Sequence, residues 1–152
     1  MERNNILLGS YMEDILDENI AIDADLFDAE LANMVNTIVR ASSAKQAESI
    51  TVFDVRGKFP LSDVFIVVSA CNLRQVLAIV DFVDEHMHKQ GFVAKSKEGL
   101  EECNWVLVDY GAVILHVQLE EDRALYNLDD LWSSLPKYVL KENKFISENV
   151  GV

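Results

Sequence analysis

Cysteine, glycine and cationic side chains are all scarce in this chain of 152 residues, and each shortage excludes something. The two cysteines, Cys71 and Cys103, lie 32 positions apart, so neither a disulfide framework nor a CxxC zinc knuckle is indicated and reduced thiols are expected. The strand-helix turn Ser69-Ala70-Cys71-Asn72 has no glycine, so it lacks the tight, close-approach backbone of a phosphate loop or dinucleotide turn. No GxSxG elbow occurs, which removes the common serine-hydrolase pattern. No window approaches the roughly 18 uninterrupted apolar residues of a membrane helix. The start, Met1 to Asn5 and then Ile6-Leu7-Leu8 with acids arriving by Glu13, fits neither a signal peptide nor an Arg-rich transit peptide, so a cytoplasmic location is expected. Only 13 Lys and Arg stand against 26 Asp and Glu, a net charge of −13 and a pI near 4.5. A deficit of that size argues against a primary nucleic-acid binder and against docking on an anionic membrane.

What is present is an ordinary globular balance, half apolar and a quarter charged, in a length that suits one domain. The acidity is uneven. Residues 1–32 hold nine acids and one base, a net of −8, whereas the remaining 120 residues are only −5. An acidic N-terminal extension over 1–32 is therefore expected before a domain at 33–135, with 136–152 as a C-terminal tail. Within the extension Ser10 and Glu13 have capping-box spacing, and Tyr11, Met12, Ile15 and Leu16 form a short apolar stripe.

From Asp28, a plausible N-cap, Leu31, Met34, Val35, Ile38 and Val39 follow the spacing of an amphipathic helix. Two β-rich runs follow, 50–55 and 64–69, separated by Arg56-Gly57-Lys58-Phe59-Pro60. Asn72 then precedes a second helix with Val76, Ile79, Val80, Val83 and Met87 on one face and Gly91 as its stop. A weaker strand is expected over 92–96. The runs 105–110 and 113–119 flank Gly111-Ala112, a hairpin in which Tyr110 faces Val113, Val108 faces Leu115 and Val106 faces Val117. One face of that hairpin is aliphatic. The other carries Trp105, Leu107, Asp109, Ile114, His116 and Gln118, a mixture that suits a solvated or recognition surface better than a core. After it, Glu120-Glu121-Asp122 opens a third helical region with Leu125, Leu128, Leu131 and Trp132 as its apolar spacing before Pro136. The order implies an α/β (α+β) domain with a mixed sheet of about five strands packed with helices.

Catalytic constellations are weak. His86 and His88, two apart on a helix, point in different directions and His116 is remote, so no metal is expected. Cys71 lies at a helix N-terminus where a thiol can be activated, with His116 as a conceivable base, but a lone thiol there is more commonly just packed or exposed. The element order is compatible with a nucleotidyltransferase-like sheet, whose active members carry Gly-Ser at a strand-helix turn and two acids one residue apart on the next strand. Here the turn is Ser69-Ala70, and the acid-x-acid spacings, such as Asp23-Ala24-Asp25, fall outside the strands. What remains is a binding surface on the mixed hairpin face, with Trp105 as an aromatic anchor and Asp109 and His116 as polar handles.

At this hairpin the sequence resembles the ribosomal silencing factor family, the iojap-like proteins. The matching residues are Asp54-Val55-Arg56-Gly57, Leu61-Ser62-Asp63, Arg74-Gln75, Glu98-Gly99, Trp105 through Gly111, His116-Val117, Arg123, Tyr126-Asn127-Leu128 and Leu131-Trp132, in order between Met34 and Trp132. This sequence departs from the family at Val64, Ala70, Ala112, Gln118 and Glu120. The resemblance implies a nucleotidyltransferase-like fold without catalytic carboxylates, and hence no enzyme activity and no cofactor. It implies an anti-association factor that binds the large ribosomal subunit through large-subunit ribosomal protein fourteen, blocks joining of the small subunit and represses translation. Trp105, Leu107, Asp109, Tyr110 and His116 are the expected partner-binding residues, with Arg74 and Arg123 as weaker candidates. An exposed apolar edge also leaves room for a homodimer. The competing readings are an active nucleotidyltransferase-like enzyme and an adaptor with another protein partner.

Overall fold

Asp28 does begin the first helix: its side chain accepts the Leu31 N–H at 2.9 Å, capping α1 (Ala29–Ala44). All five residues of the expected stripe are buried. The computed structural model describes residues 16–148 of the chain. After α1 come β1 (Ser49–Asp54) and β2 (Val64–Ala70), which pair antiparallel. Next is α2 (Leu73–Lys89), capped by Asn72, whose side chain accepts the Gln75 N–H at 2.8 Å. Gln75 in turn accepts the Cys71 N–H and donates to the Lys45 and Gln46 carbonyls, tying the start of α2 to the end of α1.

Three strands and two short helices complete the expected part: β3 (Ser96–Glu98), β4 (Trp105–Asp109), β5 (Val113–Leu119), α3 (Glu120–Tyr126) and α4 (Leu128–Leu131). The hairpin register holds as read, with Val106 opposite Val117 and Val108 opposite Leu115, and Gly111 at φ 89°. The early part of the weak strand is different. Phe92 donates its N–H to the Met87 carbonyl at the helix end, and the strand starts only at Ser96.

The sheet has seven strands rather than about five, in the order β3-β4-β5-β2-β1-β6-β7. The additional pair, β6 (Lys137–Lys141) and β7 (Lys144–Ser147), comes from the region expected to be a patternless tail. Glu142 and Asn143 turn it, both with positive φ (51° and 65°), as a two-residue turn matched to strand twist requires. Among the described strands, only β2 and β5 pair in parallel. Every residue of β2 is buried, because the sheet is covered on both faces at its centre.

The larger core lies between α1, α2 and the sheet face that carries Val52, Ile66, Leu115 and Val108. A smaller one lies on the opposite face, where Phe53, Val55, Phe65 and Val67 meet Leu128 and Leu135. The expected boundary at residue 32 is displaced by this packing. Ile20, Ile22 and Phe27 are buried in the larger core, Arg40 donates to the Ile20 and Glu18 carbonyls, and Asn36 accepts the Ile22 N–H. Residues 16–28 are thus a strap on the domain. The helix expected over 10–16 lies outside the described residues apart from Leu16, which packs against the core.

Candidate functional site

The strand registers line up side chains into rows across one sheet face. One row is Ser49, Ser69, Gln118 and Trp105; the next is Thr51, Val67, His116 and Leu107; the third is Phe53, Phe65, Ile114 and Asp109. Over the β1 and β2 part of these rows lie α3 and α4. Arg123 fixes them there. Its guanidinium grips the Asp129 carboxylate with two bonds of 3.1 Å, and it donates to Ser49 Oγ at 2.6 Å and Thr51 Oγ1 at 2.8 Å. Asn127, at φ 47° and ψ 56°, breaks the expected single helix in two and caps the second. That break leaves only Leu128 of the short helices buried, while Leu125, Tyr126 and Leu131 face outward.

A continuous run of rings crosses this face: Phe59 to Phe65 at 4.9 Å between centroids, Phe65 to Trp132 at 4.9 Å, Trp132 to His116 at 5.7 Å, His116 to Trp105 at 6.0 Å and Trp105 to Tyr126 at 4.9 Å. Its middle is buried and its ends are not, with Phe59 39% and Tyr126 52% exposed. Leu61, at 87%, and Leu125 and Leu131 of the short helices are likewise exposed. Leu107, Asp109 and Ile114 remain half-buried toward the β4 side. Exposed apolar surface gathered around a half-covered aromatic layer is the make-up of a protein-docking face.

The expected partner-binding residues divide in two. Trp105, Leu107 and Asp109 share the open face; Asp109 also accepts the Gly111 N–H at 2.7 Å and so holds the hairpin tip. His116 shares the face but is buried beneath it. Its Nδ1 accepts the Trp105 indole N–H at 3.1 Å, and burial pushes its pKa down to about 4. Tyr110 lies on the opposite, aliphatic face, where the hairpin pairing places it, and is buried there. Its hydroxyl donates to Asp84, which also binds Lys97 at 2.7 Å. Burial, then the Asp84 carboxylate, drive the Tyr110 pKa upward. Burial raises the Asp84 carboxyl pKa, but the hydrogen bonds from Lys97 and Tyr110 outweigh it and hold the group below its ordinary value.

Of the two weaker candidates, Arg123 is consumed by the internal network just described. Arg74 is exposed near the start of α2, the helix packed on the other face, and makes no ion pair with a described residue. Phe59, Tyr126 and Trp132 were not among the expected contacts, because placing them on this face depends on how the 56–63 loop and the two short helices fold back. Among the described residues, no three His, Cys, Asp or Glu side chains converge as a metal site would need. His86 is buried against Phe82 while His88 is exposed. No helix among them is long and apolar enough to cross a membrane.

Comparison with known proteins gives a consistent result. Residues 28–150 match the family model described as "Ribosomal silencing factor during starvation", a span that includes the β6–β7 hairpin. The chain is 32% identical over 108 residues to the ribosomal silencing factor of Halalkalibacterium halodurans, covering 71% of this chain and 92% of that protein. It is 35% identical over 96 residues to the Bacillus subtilis protein of the same name, covering 63% of this chain and 81% of the other. A crystal structure of a Chromobacterium violaceum protein is similar with a TM-score of 0.65 at 27% identity, covering 70% of this chain and 87% of that one.

Proposed function

From the premise that the chain belongs to the ribosomal silencing factor family, we propose that it binds the large ribosomal subunit through large-subunit ribosomal protein fourteen and blocks joining of the small subunit. On this reading it acts in the cytoplasm, represses translation by steric exclusion, and neither makes nor breaks a bond. The observation that carries the proposal is the half-covered face around Trp105, with Leu107, Asp109, Tyr126 and Trp132: an aromatic layer with exposed apolar side chains and an acidic handle. Ribosomal proteins are generally basic, and a chain of net −13 is drawn to such a partner while ribosomal RNA repels it, which steers docking onto protein. Trp105 is the central anchor, Leu107 and Asp109 contact the partner beside it, and His116 holds the Trp105 ring in position from below.

Sedimentation of large ribosomal subunits with the protein tests this. The wild type is expected to co-migrate with the large subunit and to suppress formation of whole ribosomes when small subunits are added. Trp105→Ala should weaken the association by about 2 kcal/mol, roughly 30-fold, as loss of a central aromatic anchor does. Unimpeded subunit joining in the presence of excess wild-type protein would sink the proposal.

A further inference from the structure

Beside Trp105 the open face deepens into a groove of about 540 Å³, walled by the 99–104 loop and by the Trp105 and Tyr126 rings. The loop is set firmly. Gly99, at φ 89°, lies so close to β4 that an added Cβ would sit 2.1 Å from the Trp105 carbonyl oxygen. The Cys103 N–H bonds the Gly99 carbonyl at 2.9 Å, the Cys103 thiol bonds the Leu100 carbonyl at 2.8 Å, and the Asn104 carbonyl accepts the Leu119 N–H at 2.9 Å. The Trp105 indole N–H is already committed to His116, so this ring offers the groove only its π surface and carbon edge. Of the charged groups lining it, Lys97 is neutralised by Asp84 at 2.7 Å. Glu101 and Glu102 are exposed and make no hydrogen bond or ion pair with any described residue.

Two uncompensated carboxylates beside two tilted aromatic rings select a flat cation. A guanidinium stacks on indole and phenol faces and forks onto a carboxylate at the same time, which the point charge of an ammonium cannot do. An apolar side chain would leave the carboxylates to be desolvated unpaired, and a phosphate would be repelled. We propose that this groove receives an arginine side chain of the basic protein partner. The inference rests on the ribosome-binding reading and supplies the chemistry recognised at one edge of that docking face.

Two measurements on the full-length chain separate the possibilities. The first titrates N-acetylarginine amide into the labelled protein by NMR. Shifts are expected at Gly99, Glu101, Glu102, Asn104 and the Trp105 indole, weaker with N-acetyllysine amide and absent in the Glu101→Gln/Glu102→Gln variant, whose exposed positions leave the fold intact. The second compares wild type and that variant for binding to large ribosomal subunits across a salt series. The variant should bind roughly tenfold more weakly at low salt and with a shallower salt dependence. If the wild type binds and the variant matches it in affinity and salt slope, the arginine groove is overturned while the ribosomal reading stands. Shifts that map to the groove in a protein that ignores ribosomal subunits overturn the ribosomal reading instead, and an absence of shifts there overturns the groove.

Discussion

Between the indoles of Trp105 and Trp132, His116 accepts its hydrogen bond from Trp105 only as a neutral imidazole. Burial lowers its pKa from 6.5 to about 4. Between those two values the unfolded chain binds a proton that the folded chain refuses, so stability falls as pH falls from about 6.5, and this loss is complete below about 4. Between pH 7.5 and 4.5 the shift is worth about 2 to 3 kcal/mol. His116→Gln keeps an acceptor for the indole but does not titrate. Urea unfolding of both proteins at the two pH values should therefore show the wild type losing about that much more stability than the variant. Identical pH dependence in the two would mean that the imidazole is not held neutral. Period-two alternation was enough to place His116 on the same face as Trp105 and Leu107. Its burial was not legible, since the groups that cover it, Trp132 and Phe65, arrive from the end of a short helix and from the neighbouring strand β2, both remote from the hairpin in sequence.

The two short helices form an element that cannot hold itself in place. At seven and four residues they are below the length at which an isolated helix persists, and Leu128 alone of their side chains is buried. Arg123 provides the attachment, joining α3 to β1 through Ser49 and Thr51 and to α4 through Asp129. Arg123→Met removes these bonds and leaves the half-buried Asp129 carboxylate without its partner. A loss of about 2 kcal/mol or more in unfolding free energy is expected, with faster amide exchange concentrated in residues 120–132. A uniform rise in exchange would instead mean that the arginine supports the whole sheet rather than this cover. The contrast in legibility follows from length. Helices α1 and α2 repeat their apolar spacing over four turns and carry Asp28 and Asn72 caps, so pattern and capping agree. The region after β5 has the same apolar spacing on paper, yet Asn127 in the left-handed region interrupts it and turns Leu125 and Leu131 to solvent. Strands β6 and β7 alternate around Glu142-Asn143, a turn without glycine, and were hidden for that reason.

Over the molecule as a whole, the acidity and the fold cannot be separated in the way that the charge count suggests. Residues 16–148 alone hold 23 acids and 12 bases, a net of −11, so almost all of the −13 is carried by the folded unit. The strap that contributes Asp17, Glu18, Asp23 and Asp25 is stitched to α1 by Arg40 and Asn36, and Arg56 donates to the Leu26 carbonyl while stacking over Phe27. Removing residues 1–32 deletes buried Ile20, Ile22, Phe27 and Leu31 together with the Asp28 cap. At about 1.5 to 3 kcal/mol for each buried apolar side chain, the four side chains account for roughly 6 to 12 kcal/mol. That matches the entire stability of a typical domain, about 5 to 15 kcal/mol. The truncated chain is therefore expected to lose cooperative thermal unfolding and to fail to bind ribosomal subunits because it is unfolded. Circular dichroism melts of the full chain and the truncation check this directly. A cooperative transition in the truncation within a few degrees of the full chain would show that α1 and the sheet close their core without the strap. Its subunit binding across a salt series would then report the strap's charge alone.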